Sequence, residues 1–188
     1  MALAKPFTPA KLIVGVIAAG AEVFERTEGE LVGRHGPVDL RSSFFAFDLT
    51  DYYEEQMGRN LRRVFLSFLN LVSPERLASI KVGTNALEDE IGRSAPGVRR
   101  AVNIDPGIMT ASALIMGTAK NFAHRVPLSE GIYAHLELIF NKNGVRFLEW
   151  TYPDFKRPGC PEFFLAVRRI YLDQLRRTGE PGKTETAD

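Results

Sequence analysis

Leu12-Ile13-Val14-Gly15-Val16-Ile17 is short, apolar and rich in β-branched side chains. Such a run suits a buried strand. The flanks allow an alternative: Lys5 and Lys11 precede the run, and Ala19-Gly20-Ala21 has the small-x-small pattern of a leader-peptide cleavage site. Read as a strand, the run opens a folded domain. Val23, Phe24, Thr27 and Leu31 follow at helical spacing, which predicts a helix over 21–35 stopped by Gly36-Pro37. Residues 38–48 then read as a strand, with Phe45 and Phe47 on one face, and 63–71 is a second β-rich run. Ser73-Pro74 predicts a helix start, a capping serine before a proline at the first helical position. Leu77, Ile80, Thr84, Leu87 and Ile91 form its apolar stripe over 74–91.

The second half starts with a short strand over 100–105. Residues 108–118 are apolar without a clear period and carry no assignment. A hairpin is predicted from 132–140 and 145–150 around Asn141-Lys142-Asn143-Gly144. Phe164, Val167, Tyr171 and Leu175 mark a last helix over 161–177. The order predicts an α+β fold: a ferredoxin-like βαββαβ core with a mainly antiparallel sheet, an added β-hairpin and a C-terminal helix. One domain is expected over 11–177, with a polar, frayed tail at 178–188.

The chain has 188 residues and a formal net charge of +1, so charge alone demands neither nucleic acid nor an anionic membrane. The arginine pairs Arg62-Arg63, Arg99-Arg100, Arg168-Arg169 and Arg176-Arg177 read as solvated flanks of strands and helices. The single cysteine, Cys160, offers no internal disulfide and no metal-ligand spacing, and reads as a structural loop residue. No stretch approaches the ~18 apolar residues of a transmembrane helix. A cytoplasmic location is expected.

Four polar clusters lie beside apolar segments. In Thr50-Asp51-Tyr52-Tyr53-Glu54-Glu55, Asp51 and Glu55 share a face if the segment is helical, which suits a divalent cation or acid/base work. Val102-Asn103-Ile104-Asp105-Pro106-Gly107 places Asn103 and Asp105 on one face, with Pro-Gly expected to end the strand. Lys120-Asn121-Phe122-Ala123-His124-Arg125, before Gly131-Ile132-Tyr133, supplies anion-binding groups and an acid/base candidate in His124. Trp150-Thr151-Tyr152-Pro153-Asp154 mixes aromatic rings, a hydroxyl and a carboxylate, as ligand walls do. Lys81, Asn85 and Glu88 align on the second helix. Each cluster also has a plain structural reading as a cap, a turn or a packed corner. The G-K-T at 182–184 lacks the upstream glycine of a phosphate-binding loop, and no G-x-G-x-x-G, C-x-x-C, H-E-x-x-H or G-x-S-x-G occurs.

Taken together, the Thr50-Asp51-Tyr52-Tyr53 motif with Met57-Gly58, Val102–Gly107, His124-Arg125 with Gly131-Ile132-Tyr133, and Trp150–Asp154 are similar to a bacterial and archaeal domain-of-unknown-function family, number four-four-one-six. The resemblance spans about residues 11–176. It implies that Leu12–Ala19 belongs to the domain rather than to a leader. The GTP-binding label that some members carry finds no phosphate-binding loop here.

The expected function is binding, with or without hydrolysis, of a small phosphorylated or nucleotide-like ligand. His124 and Asp105 are the catalytic candidates. Lys81, Arg125, Tyr133, Thr151 and Tyr152 are the ligand-binding candidates. Asp51, Glu55 and Asp154 are the candidates to hold a metal, Mg²⁺ by preference. Asp51, Asp105, His124, Arg125 and Asp154 are expected in one pocket. The alternative is a non-catalytic module that binds RNA or protein through its sheet.

Overall fold

A computed structural model describes residues 3–50, 53–94 and 98–179. Leu12–Ile17 lies inside β1 (Ala10–Ala18), every residue of which is buried. The chain continues through α1 (Ala21–His35), β2 (Val38–Arg41), β3 (Phe45–Ala46), α2 (Glu54–Met57), β4 (Arg62–Val72), α3 (Leu77–Arg93), β5 (Val102–Met109), β6 (Ala113–Thr118), β7 (Val126–Pro127), β8 (Tyr133–Asn141), β9 (Gly144–Phe147) and α4 (Cys160–Thr178). Every strand pairing is antiparallel, and the order is β2-β4-β1-β5-β6-β8-β7, with β3 beside β4 and β9 beside β8. The fold is α+β.

Alternation along the strands builds two cores. Leu12, Val14 and Val16 of β1 point with Val64, Leu66 and Phe68 of β4 and Ile104 of β5 toward α1 and α3, meeting Phe24, Leu31, Leu77 and Leu87. Ile13 and Phe65 face the other way, joining Leu114, Met116, Leu138 and the α4 residues Phe163, Phe164 and Val167. Helices therefore cover both faces of the sheet. Among the described residues, no helix is long and apolar enough to cross a membrane.

Several local expectations change. The predicted strand over 38–48 is broken at Ser42, whose hydroxyl takes the Phe65 N–H in place of a ladder carbonyl. Ser73 does not cap a helix: its hydroxyl donates to Glu75 Oε2, and the first turn, Pro74–Arg76, is 3-10. The unassigned stretch 108–118 is the end of β5 and all of β6. Cys160 is the buried first residue of α4, and burial pushes its thiol up to about 11.

The predicted stop at Pro106-Gly107 does not occur, because β5 runs on to Met109. Ile104 turns its N–H and C=O away from β1, toward α3 side chains. Pro106, two residues on, has the same orientation, so its missing N–H faces a side where no strand pairs. The β5–β6 ladder holds only Gly107–Met109 against Met116–Leu114, whereas β1 pairs with β5 from Lys11 to Ala18. Upstream of Gly107, β5 and β6 part.

Candidate functional site

A cavity of about 670 Å³ opens where β5 and β6 part. Residues from distant parts of the chain line it, among them Arg63 of β4, Lys81 and Asn85 of α3, Asp105 of β5, Arg125 and Tyr152.

Its floor is a charge network. Arg63 is 3% exposed, although arginine pairs read as solvated flanks in the sequence. Burial disfavours its charge, and Asp154 and Asp105 outweigh that penalty, raising its pKa. Its guanidinium bonds Asp154, and Nη2 lies 3.0 Å from Asp105 Oδ2. The rings of Phe65 and Phe155 flank it at 4.9 and 5.1 Å. Gly15 of β1 makes room for it: a Cβ there would stand 2.9 Å from Arg63 Nη2. That is the physical use of a glycine within the β-branched run.

Lys81 and Glu88, two turns apart on α3, replace the strand missing beside β5. Lys81 Nζ donates to Ile104 O at 2.7 Å, and Ile104 N–H donates to Glu88 Oε1 at 2.7 Å. Gly117 of β6 lets α3 close in, since a Cβ there would meet Lys81 Cβ at 3.3 Å. Lys81 also stands 3.5 Å from Asp105 Oδ1. Arg100 bonds Glu88, and donates to Asn103 Oδ1 at 2.6 Å; Asn103 in turn donates to Asp105 Oδ2 at 2.7 Å. Burial pushes the Asp105 carboxyl up, but Lys81, then Arg63, Asn103 and Arg100, outweigh it and hold it below the usual carboxylate range. For Glu88 burial wins, and its pKa is raised despite Lys81 and Arg100. Burial, with Asp105 adding to it, also raises Tyr53.

The wall on the β8 side is built differently. Arg125 Nε donates to His135 Nδ1 at 3.3 Å, Nη1 to Lys120 O at 2.7 Å, and Nη2 to Tyr152 Oη at 2.8 Å. All three acceptors are neutral, and Arg125 pairs with no carboxylate among the described residues. His135 Nε2 lies 3.0 Å from Glu137 Oε2, off the ideal hydrogen-bond line, while Glu137 Oε1 accepts Tyr152 N–H at 2.6 Å. Burial raises the Glu137 carboxyl, with His135 and the Tyr152 N–H opposing. Glu137 sits at a β-bulge: Leu114 pairs with Leu138 and Ile115 with Leu136, so Glu137 has no partner on β6. The bulge brings His135, Glu137 and Leu138 all into the interior, re-aiming side chains as bulges beside functional sites do.

A family model described as Domain of unknown function (DUF4416) matches residues 8–171. The chain belongs to this family. No curated protein and no solved structure matches it.

Of the residues singled out in the sequence, the DUF4416 fold brings Asp105, Asp154, Lys81, Arg125 and Tyr152 to the cavity. Asp105 and Asp154 meet at Arg63. His124 stands behind the wall, stacked on Trp150 at 4.8 Å and edge-on to His135. Burial, then His135 and Arg125, lower its pKa. Thr151 serves the backbone, donating to Glu137 O and accepting Leu148 N–H. Tyr133 and the exposed Glu55 do not line the cavity. Asp51 lies outside the described residues. Among the described residues, no three His, Cys, Asp or Glu side chains form a metal-ligand group.

His135 and Glu137 were not singled out in the sequence, and Arg63 and Arg100 were read there only as solvated flanks. His135 and Glu137 had a readable signal, two ionisable residues at i and i+2 within an otherwise apolar strand. Arg63 had none, since its pairing with Asp154 spans 91 residues.

Proposed function

We propose that the cavity binds a small phosphorylated, nucleotide-like ligand in a cytoplasmic setting. The observation that carries this reading is Arg125, a guanidinium in the cavity wall whose three acceptors are all neutral. An anion is the partner that completes its charge, and a phosphate matches its planar fork. The described lining holds five basic side chains, Arg63, Lys81, Arg100, Lys120 and Arg125, against two carboxylates, Asp105 and Asp154, so its field favours an anion. Phe47, Tyr53 and Phe122 offer rings for a flat group. The Asn85 amide lines the cavity and makes no side-chain hydrogen bond among the described residues.

The order β2-β4-β1-β5, with α1 and α3 as crossovers on one face, supports a ferredoxin-like reading of the first half of the domain. In that reading α4 covers the face that an RNA-binding sheet leaves open, which favours the cavity over an open-sheet interface.

A thermal-shift screen tests the proposal with inorganic phosphate, phosphosugars and nucleoside mono-, di- and triphosphates, with and without Mg²⁺. A ligand at a hundred times its Kd stabilises the native state by about 2.7 kcal/mol. Arg125→Ala is expected to weaken the responding ligand at least roughly tenfold, the loss of a charged hydrogen bond, while the ligand-free melting temperature stays close to the parent's. A screen with no response, or an Arg125→Ala protein that binds as the parent does, sinks the proposal.

A further inference from the structure

Arg125 can meet an anion in one orientation only if something fixes its Nε, and the residue that does so is itself held from behind. His135 is 1% exposed and Glu137 is 0% exposed, yet the His135 ring reaches the cavity lining. The contacts close a ring. Arg125 Nε–H donates to His135 Nδ1, His135 Nε2 faces Glu137 Oε2, Glu137 Oε1 takes the Tyr152 N–H, and Tyr152 Oη takes Arg125 Nη2–H. His135 Nε2 and Glu137 Oε2 stand 3.0 Å apart, off the ideal hydrogen-bond line, and neither has a hydrogen-bond partner among the described residues, so each is the polar group within reach of the other.

We propose that Glu137 holds His135 in its Nε2–H tautomer, so that His135 Nδ1 receives Arg125 Nε–H and sets the guanidinium for the ligand's anionic group. This rests on the reading of Arg125 as the anion-binding group. His135 and Glu137 are positioning residues in it and do not touch the ligand's phosphate.

The tautomer follows from donor and acceptor chemistry. Arg125 has no acceptor, so His135 Nδ1 must carry a lone pair. A neutral imidazole then carries its proton on Nε2, which faces the Glu137 carboxylate, a group with only acceptors when ionised. Second partners of this kind fix histidine tautomers at metal sites, and the same logic holds where the histidine serves an arginine. Strand alternation puts His135 and Glu137 on the same inward face, and the β-bulge leaves Glu137 without a partner on β6.

Glu137→Gln is nearly isosteric and reverses the logic. The amide oxygen keeps the Tyr152 N–H, so the NH2 group turns to His135 Nε2 and makes that nitrogen the acceptor. His135 then carries its proton on Nδ1, against the Arg125 Nε–H. The test uses the full chain. Long-range proton–nitrogen NMR on ligand-free protein reads the His135 tautomer, and titration with inorganic phosphate reads the anion site. The parent is expected to show Nε2–H, and Glu137→Gln to show Nδ1–H with phosphate affinity about tenfold weaker, the scale of one charged hydrogen bond. A parent His135 in the Nδ1–H form overturns the inference without any variant. So does a Glu137→Gln protein that folds and leaves the tautomer and the phosphate affinity unchanged. The ligand-free tautomer separates the two readings: Nε2–H in a protein that binds no phosphate keeps the relay and removes the anion site.

Discussion

The two long edges of β5 are built from one strand and behave differently. Against β1 it pairs from Val102 to Met109, and on the face toward α1 and α3 that junction is apolar, with Leu12, Val14 and Val16 beside Val102, Ile104 and Ile108. Against β6 it pairs only over Gly107–Met109, and the opened stretch is served by side chains: Lys81 and Glu88 bond the Ile104 backbone, and Arg63, Asn103, Asp105 and Arg100 fill the space beyond. A complete ladder satisfies the backbone by itself and leaves its surroundings free to be apolar. An incomplete one leaves buried polar groups that need charged partners, since an unpaired group there costs about 1–3 kcal/mol. The cavity is the part of that gap which the partners do not fill.

The contrast breaks hardest at Arg63. Arg63→Ala leaves Asp154 and Asp105 without their shared cation, and removing one member of a buried ion pair costs about 3–5 kcal/mol. Denaturant melts are expected to show a loss of that size, whereas Val16→Ala on the fully paired side of β1 tests a purely apolar contact. If Arg63→Ala costs less than the apolar truncation, the network is not what holds the gap open.

A smaller effect is expected at Lys81. Lys81→Met keeps the length of the side chain and its packing against Gly117, but strands the Ile104 carbonyl and takes a cation from Asp105 and Glu88. About 2 kcal/mol of stability is expected to go, the scale of a buried acceptor left unsatisfied, as read by the same melts. Pairing it with Glu88→Leu sharpens the comparison: the double variant strands the Ile104 N–H as well as its carbonyl, so it should lose more stability than Lys81→Met alone.

The smallest effect concerns acid. The folded state holds the Asp105 carboxyl below its usual range, burial opposing and Lys81 and Arg63 prevailing. A depressed carboxylate stabilises the fold above its unfolded pKa, and that contribution is lost as pH falls through the folded value. The stability gap between the parent and Asp105→Asn is therefore expected to be full at neutral pH and to shrink below the ordinary carboxylate range. A gap that is constant down to the acid transition would falsify the charge pairing at Asp105.

Local pattern made much of the fold legible. β-branched density in Leu12–Ile17 specified a buried strand, and three- and four-residue spacing specified α1, α3 and α4, because these periods are properties of the backbone alone. The site was legible in part. Asp105, Asp154, Lys81, Arg125 and Tyr152 stood out as polar residues beside apolar runs, and each lines the cavity. What decided their relations came from the tertiary structure. Pro106 reads as a strand stop until it is known that its N side faces no partner. Arg63 reads as solvated until Gly15, 48 residues earlier, and Asp154, 91 residues later, are seen to receive it. His124 reads in the sequence as an acid/base candidate, and only the fold shows that its ring stacks on Trp150 while His135 takes the Arg125 Nε–H. Helical and strand periods are fixed within a few residues of chain, so the sequence determines them alone. Charge pairing, desolvation and register depend on which distant segments meet, and only the folded molecule decides that.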